Sequence, residues 1–325
     1  MLKAFLVLLL VASPTLAQSG TWARQPAGTM AWLHALFFLD QNLGWAVGSK
    51  GTLLQTTDGG NTWKPRNAST DDVVRDVFFI DDRNGWLVCE VNAYQLKTVD
   101  EPRAYLMKTT DGGEKWKRIE IKDFNIDAVL MRAVFTRNGR GWTFGEGGAI
   151  YATRDAGDTW VQLRSPTRRL LLGGIFVDDD RGWIVGAGAT IIQTSDGGDT
   201  WYQSQLPQVE KSVRFTATSF VDNRKGWAVG SGGSVYNTVN GGRTWQRQES
   251  TVDVDLFDVK FVDALEGWAV GAEGTIIHTV DGGTSWKTER SGTQHQLERL
   301  FFPDKNRGWA VGFGGTVVAY LRGKV

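Results

Sequence analysis

The feature that most constrains this chain is one stretch that is repeated along its length. Its clearest copy is Gly267-Trp268-Ala269-Val270-Gly271-Ala272-Glu273-Gly274-Thr275-Ile276-Ile277-His278-Thr279-Val280-Asp281-Gly282-Gly283-Thr284-Ser285-Trp286. Gly-Trp recurs at Gly44, Gly85, Gly141, Gly182, Gly226, Gly267 and Gly308, at spacings of 41, 56, 41, 44, 41 and 41. A turn closed by Trp follows each of the first six, starting at Asp58, Asp111, Asp155, Asp196, Asn240 and Asp281, with Ala156 in place of the first Gly in the third copy. A period of this length, reading strand, turn, strand, turn, strand, predicts an all-β fold: a seven-bladed β-propeller with four antiparallel strands per blade. One turn is missing after Trp309, and Thr21-Trp22-Ala23-Arg24-Gln25 looks like the strand that follows such a turn. The N-terminal strand is therefore expected to complete the last blade and close the ring, leaving no open edge.

The turn has its own chemistry. An Asp side chain accepts hydrogen bonds from backbone N–H groups a few residues on, and Gly supplies the positive φ of a tight hairpin. The Trp is large enough to fill the space between twisted blades, and its indole N–H can reach a backbone carbonyl. The six turns match the Asp-box, or bacterial neuraminidase repeat. One carboxylate per turn falls far short of the six to eight oxygens that calcium takes, so the turn residues are read as structural. No metal or cofactor is expected.

Residues 1–17 read as an export signal: Lys3, then an apolar run from Ala4 to Ala12, then Pro14-Thr15-Leu16-Ala17. That run is too short to span a bilayer. Residues 18–325 form one propeller domain, expected to be monomeric and exported to a periplasmic, secreted or lumenal space. Cys89 is the only cysteine, so no internal disulfide can form, and it reads as a small buried hydrophobe. Lys plus Arg equals Asp plus Glu at 36 each, so nothing global points to nucleic acid or an anionic membrane.

Function is expected on one rim. The one–two turns and the Asp-Gly-Gly turns share a uniform rim, while the two–three loops and blade-to-blade connections share the other. Extra residues at Val91 to Arg103, Asp123 to Leu130 and Gln205 to Lys211 all fall on that second rim, and variable loops on a rigid scaffold are where binding concentrates. Ten residues before each Gly-Trp, or nine in the third blade, stand His34, Arg75, Arg132, Leu172, Thr216, Phe257 and Glu298 at the channel mouth. Arg168, Arg169, Arg214 and Arg299 lie close by in sequence. Arginines gathered at one mouth would bind carboxylate or phosphate bidentately. The competing reading pairs them with Asp71, Asp72, Glu210 or Glu298.

Signals for catalysis are thin. The three histidines, His34, His278 and His295, have no metal-type spacing. Asp178-Asp179-Asp180 sits where other one–two turns carry Asp, so turn formation explains it best. The repeat behind an export signal resembles the photosystem II assembly and stability factors. That resemblance spans Ser19 to Val325 and implies a non-catalytic propeller that grips a protein partner of a membrane or envelope complex. It also implies an arginine-bearing face, here Arg75, Arg132, Arg214 and Arg299, with Arg169 and His34 beside them. The alternative is a sialidase-like or glycosidase-like enzyme, or a glycan-binding propeller. A sialidase-like site offers only Tyr94 with Glu90. A glycosidase offers Glu146 and Glu273 as a carboxyl pair. Trp32 is the one tryptophan outside the repeat available to stack on a sugar.

Overall fold

The structure, a computed structural model, describes residues 20–92, 96, 101–121, 124–125, 127–206 and 212–323. The export signal expected over residues 1–17 lies outside them, as do Tyr94, Glu210 and much of the three rim insertions. The described residues form seven four-stranded antiparallel sheets. The first blade is β2 (Leu33–Phe38), β3 (Gly44–Gly48), β4 (Thr52–Thr56) and β5 (Lys64–Asn67), hydrogen-bonded in that order. The last blade orders β26 (Leu297–Phe301), β27 (Arg307–Gly312), β28 (Thr316–Arg322) and then β1 (Gly20–Gln25). The N-terminal strand thus supplies the outermost strand, with Trp22 opposite Tyr320. The inner strands of blades two to six are β6 (Val73–Phe79), β10 (Leu130–Phe135), β14 (Leu171–Phe176), β18 (Phe215–Phe220) and β22 (Leu256–Phe261). Each touches the next, and β26 touches β2, so the ring is closed.

One aromatic plan holds neighbouring blades together. The Trp of every Gly-Trp pair stacks on a Phe from the inner strand, or just after it, in the next blade. The pairs are Trp45–Phe79, Trp86–Phe135, Trp142–Phe176, Trp183–Phe220, Trp227–Phe261, Trp268–Phe302 and Trp309–Phe38, with ring centroids 3.5 to 4.1 Å apart. The turn Trp of the same blade meets that Phe edge-on, as Trp286 meets Phe261 at 5.8 Å. In the seventh blade Trp22 takes this place, 5.7 Å from Phe302. Each contact of this kind adds about 1 kcal/mol beyond the area it buries. The Gly before each Trp makes room: a Cβ at Gly267 would stand 2.6 Å from the Phe261 ring. The Asp-box turns form as their residues predict. Asp58 Oδ1 accepts from the Thr62 amide at 2.9 Å, and its other oxygen accepts the Thr62 hydroxyl at 2.6 Å. Thr56 donates to Asp58 and accepts from the Gly60 amide, each at 2.8 Å. These bonds, led by Thr62, hold the Asp58 carboxyl down at about 2.

The indole bonds divide between the two kinds of tryptophan. Turn tryptophans Trp116, Trp160 and Trp245 donate to their own turn carbonyls at Gly113, Gly157 and Gly242. Ties between blades come instead from Gly-Trp residues, as when Trp142 donates to Gly197 O at 3.0 Å. Asp178 Oδ1 accepts from the Asp180 and Arg181 amides, so the acidic run does shape a turn. Cys89 is fully buried, and burial pushes its thiol up to about 12.

Candidate functional site

Each inner strand carries a β-bulge near its start. A bulge leaves one residue unpaired and re-aims its side chain. The bulged residues are His34, Arg75, Met131, Leu172, Thr216, Phe257 and Glu298, and all line a cavity of about 460 Å³ at one mouth of the central channel. Trp32, Arg132, Leu170, Arg214, Asp255, Gln296 and Arg299 complete the lining, so all seven blades contribute. The third blade corrects the sequence alignment. Met131 is the equivalent of Arg75, and Arg132 belongs one ring deeper, with Ala35, Asp76, Gly173, Ala217, Asp258 and Arg299.

That deeper ring forms the floor. Arg132 Nη1 lies 3.7 Å from Asp258 Oδ1, joining blade three to blade six. Arg299 Nη2 lies 3.3 Å from Asp76 Oδ1, joining blade seven to blade two. Each Asp also accepts a backbone N–H from the neighbouring blade: Asp76 from Ala133 at 3.1 Å, and Asp258 from Leu300 at 3.0 Å. Two acids and two arginines therefore cancel in charge across the channel. Burial pushes the Asp76 carboxyl up to about 6 against the pull of Arg132, and raises Asp258 as well. Below this ring Phe37 packs on Phe78 and Phe301, and burial lowers the pKa of Lys260.

The arginines gather at the mouth but differ in their partners. Arg75 is paired with Glu90. Arg132 and Arg299 are committed to the floor. Among the described acids, none of these three takes Asp71, Asp72 or Glu298 as its ion-pair partner; Asp72 instead accepts from the Tyr105 hydroxyl at 2.7 Å. The mouth is therefore not a bare positive ring. Arg214 is exposed and has no ion pair among the described residues, with its amide donating to Ser231 Oγ. Arg168 and Arg169 are exposed and lie outside the cavity lining, Arg169 against the Gly188 turn. Burial and the charge of Arg75 lower the His34 imidazole to about 4, leaving it neutral at pH 7. Burial raises the Glu298 carboxyl, against the Gln296 hydrogen bond. Trp32 lies 5.1 Å from His34 and meets Phe313 edge-on at 5.5 Å.

Among the described residues, the candidate glycosidase pair Glu146 and Glu273 lies outside the mouth. Glu146 accepts from Arg103 at 3.0 Å and from the Val129 amide at 3.2 Å, which ties its turn to the second blade and to the chain just before β10. Glu273 is an exposed turn residue with φ of 56°. Neither lines the mouth cavity. Glu90 is held by Arg75. Sequence reasoning missed Asp76 and Asp258. A strict count of ten before the third Gly-Trp would have put Arg132 in one ring with both acids and Arg299.

The family model described as "Photosynthesis system II assembly factor YCF48" matches residues 15–101, 67–170, 162–250 and 247–321. No curated protein sequence matches the chain. Among solved structures, YCF48 bound to D1 peptide is similar at 22% identity and a TM-score of 0.73, covering 93% of this chain and 95% of that one. YCF48 from Cyanidioschyzon merolae is similar at 22% identity and a TM-score of 0.75, covering 93% of this chain and 99% of that one. A GH74 xyloglucanase from Xanthomonas campestris shares the fold at 12% identity and a TM-score of 0.69, covering 92% of this chain and 53% of that one. With four overlapping matches running through nearly all of the repeats, the chain belongs to the photosystem II assembly factor YCF48 family.

Proposed function

We propose that this protein is an exported, non-catalytic scaffold that binds a protein segment at the channel mouth during assembly of a membrane complex. The observation that carries the reading is the shape and chemistry of that mouth. It is a cup open on the rim of irregular loops, lined by every blade and floored by two ion pairs. A floored cup takes a chain end or a bulged loop. Arg214, with no ion pair among the described residues, would hold a carboxylate, while Trp32, Leu172 and Phe257 give apolar walls. A relative, YCF48, is solved bound to D1 peptide, a protein segment. Among the described residues no helix is long and apolar enough to cross a membrane.

Arg132 and Arg299 are poor choices for a test, because removing either strands a buried acid. The test uses Arg214→Glu. Titration calorimetry would compare peptides ending in a free carboxylate with the same peptides amidated. The free-carboxylate peptides are expected to bind wild type, and to bind the variant at least tenfold more weakly. Equal binding by both proteins, or binding of xyloglucan oligosaccharides in place of peptides, would overturn the reading.

A further inference from the structure

The seam between the sixth and seventh blades lacks a part that the others have. The buried Trp268 indole N–H, like those of Trp45 and Trp86, has no hydrogen-bond partner among the described residues, and the seventh blade has no Asp-box turn. In its place stands a cluster around His278, in β24 (Ile276–Thr279). The imidazole stacks flat on Trp268, centroids 4.3 Å apart. Its Nε2 lies 3.3 Å from Glu266 Oε1, and its Nδ1 lies 2.9 Å from Glu289 Oε1. Both carboxylates also hold the closing strands of the ring. Glu289 accepts the Trp22 indole N–H of β1 at 2.7 Å, and Glu266 accepts from the Arg322 guanidinium of β28.

We propose that Glu266, His278 and Glu289 form a protonation-dependent clasp that binds β1 and β28 to the sixth blade, holding the ring closed more firmly in acid than in alkali. A neutral imidazole has one N–H and one lone pair. With both nitrogens facing carboxylate oxygens, only the imidazolium satisfies both contacts, and loss of its proton sets a lone pair against a carboxylate. The other groups around the cluster are Asp263, Lys287, Arg322 and the Tyr320 phenol. Burial opposes a charge on His278, but the hydrogen bonds and charges of Glu266 and Glu289 outweigh it and raise its pKa. A raised pKa in the closed ring means that the contribution is complete below the ordinary histidine value of about 6.5 and is lost as pH rises through the raised value.

The test uses the full chain. NMR would follow the His278 ring in wild type between pH 5 and 9. Amide exchange would give protection factors for Gly20–Gln25 and, across the ring, for Phe215–Phe220 at both ends of that range. His278→Gln is the variant and His295→Gln the control. The His278 ring is expected to titrate above the ordinary value. Protection of Gly20–Gln25 is expected to fall between acid and alkali, about tenfold for each unit of that elevation. Phe215–Phe220 should hold steady, and His278→Gln should abolish the fall while His295→Gln keeps it. A ring titrating at or below the ordinary value, constant protection of Gly20–Gln25, or parallel loss in both strands would overturn the clasp. The wild-type measurements decide the question even if His278→Gln fails to fold.

Discussion

The seams between blades and the channel they enclose are built by the same repeat, yet they carry opposite kinds of sequence. At every seam a Trp stacks on a Phe, seven times over, in one geometry. At the mouth, the equivalent bulge positions hold seven different residues, including a cation, an acid, an aromatic and a hydroxyl. Both regions are fixed by the same strands, so the difference is not one of architecture. Seams must each bury the same apolar surface, and any blade that failed to do so would open the ring. The mouth carries little of that load, so its residues are free to become individual, and individuality is what recognition needs.

The sharpest test of this contrast lies within one strand. Phe261 in β22 is buried between Trp227 and Trp286. Phe257, four residues earlier, is half-buried at the mouth. Phe261→Ala is expected to cost about 3–5 kcal/mol in urea denaturation. Phe257→Ala should cost only about 1 kcal/mol, its larger effect falling on peptide binding. Equal losses would break the contrast. Next in size comes the floor, where the channel behaves like a core. Arg299→Met leaves Asp76 buried without its partner and is expected to cost about 3 kcal/mol. Adding Asp76→Leu should recover most of that loss, since a buried ion pair replaced by apolar side chains is often near neutral. A double variant no more stable than the single would show that the pair is not coupled.

The two regions were also unequally legible. The seams were legible because Gly-Trp and Asp-Gly-Gly-x-x-Trp recur on a fixed count, and Trp22 betrayed the closing strand by matching Trp63 in context. Which Trp bonds which carbonyl was not legible, because it depends on the distance between blades. The mouth positions came from the same count, and the single slip came in the third blade, where Arg132 was put in place of Met131. That slip hid the floor. Its pairs join blades three and six, and blades seven and two, contacts that exist only once the ring has closed. Glu90 was in view as a candidate acid, but its pairing with Arg75 depends on the register of β6 with β7 (Gly85–Glu90).

The smallest effect is expected on the uniform rim, at the one turn that departs from it. Asn240 does with an amide what the other turns do with a carboxylate. It accepts from the Thr244 backbone at 3.0 Å and donates its Nδ2 to the Thr244 hydroxyl at 2.8 Å. In Asp155 both oxygens accept from Thr159, and the Thr159 and Thr153 hydrogen bonds overcome the burial cost and hold the carboxyl at about 2. Asn240→Asp would let the Thr244 hydroxyl turn round and donate, giving charge-assisted bonds in place of neutral ones. The sign follows from the depressed pKa: the gain is present above the ordinary Asp value of about 3.9 and is lost as pH falls through about 2. A rise of about 1–2 °C in the unfolding midpoint is expected at pH 6, shrinking to nothing near pH 2. A rise of the same size at both pH values would mean that the carboxylate's charge is not what the other five turns gain. A fall at pH 6 would mean that the fifth blade has adapted to its amide.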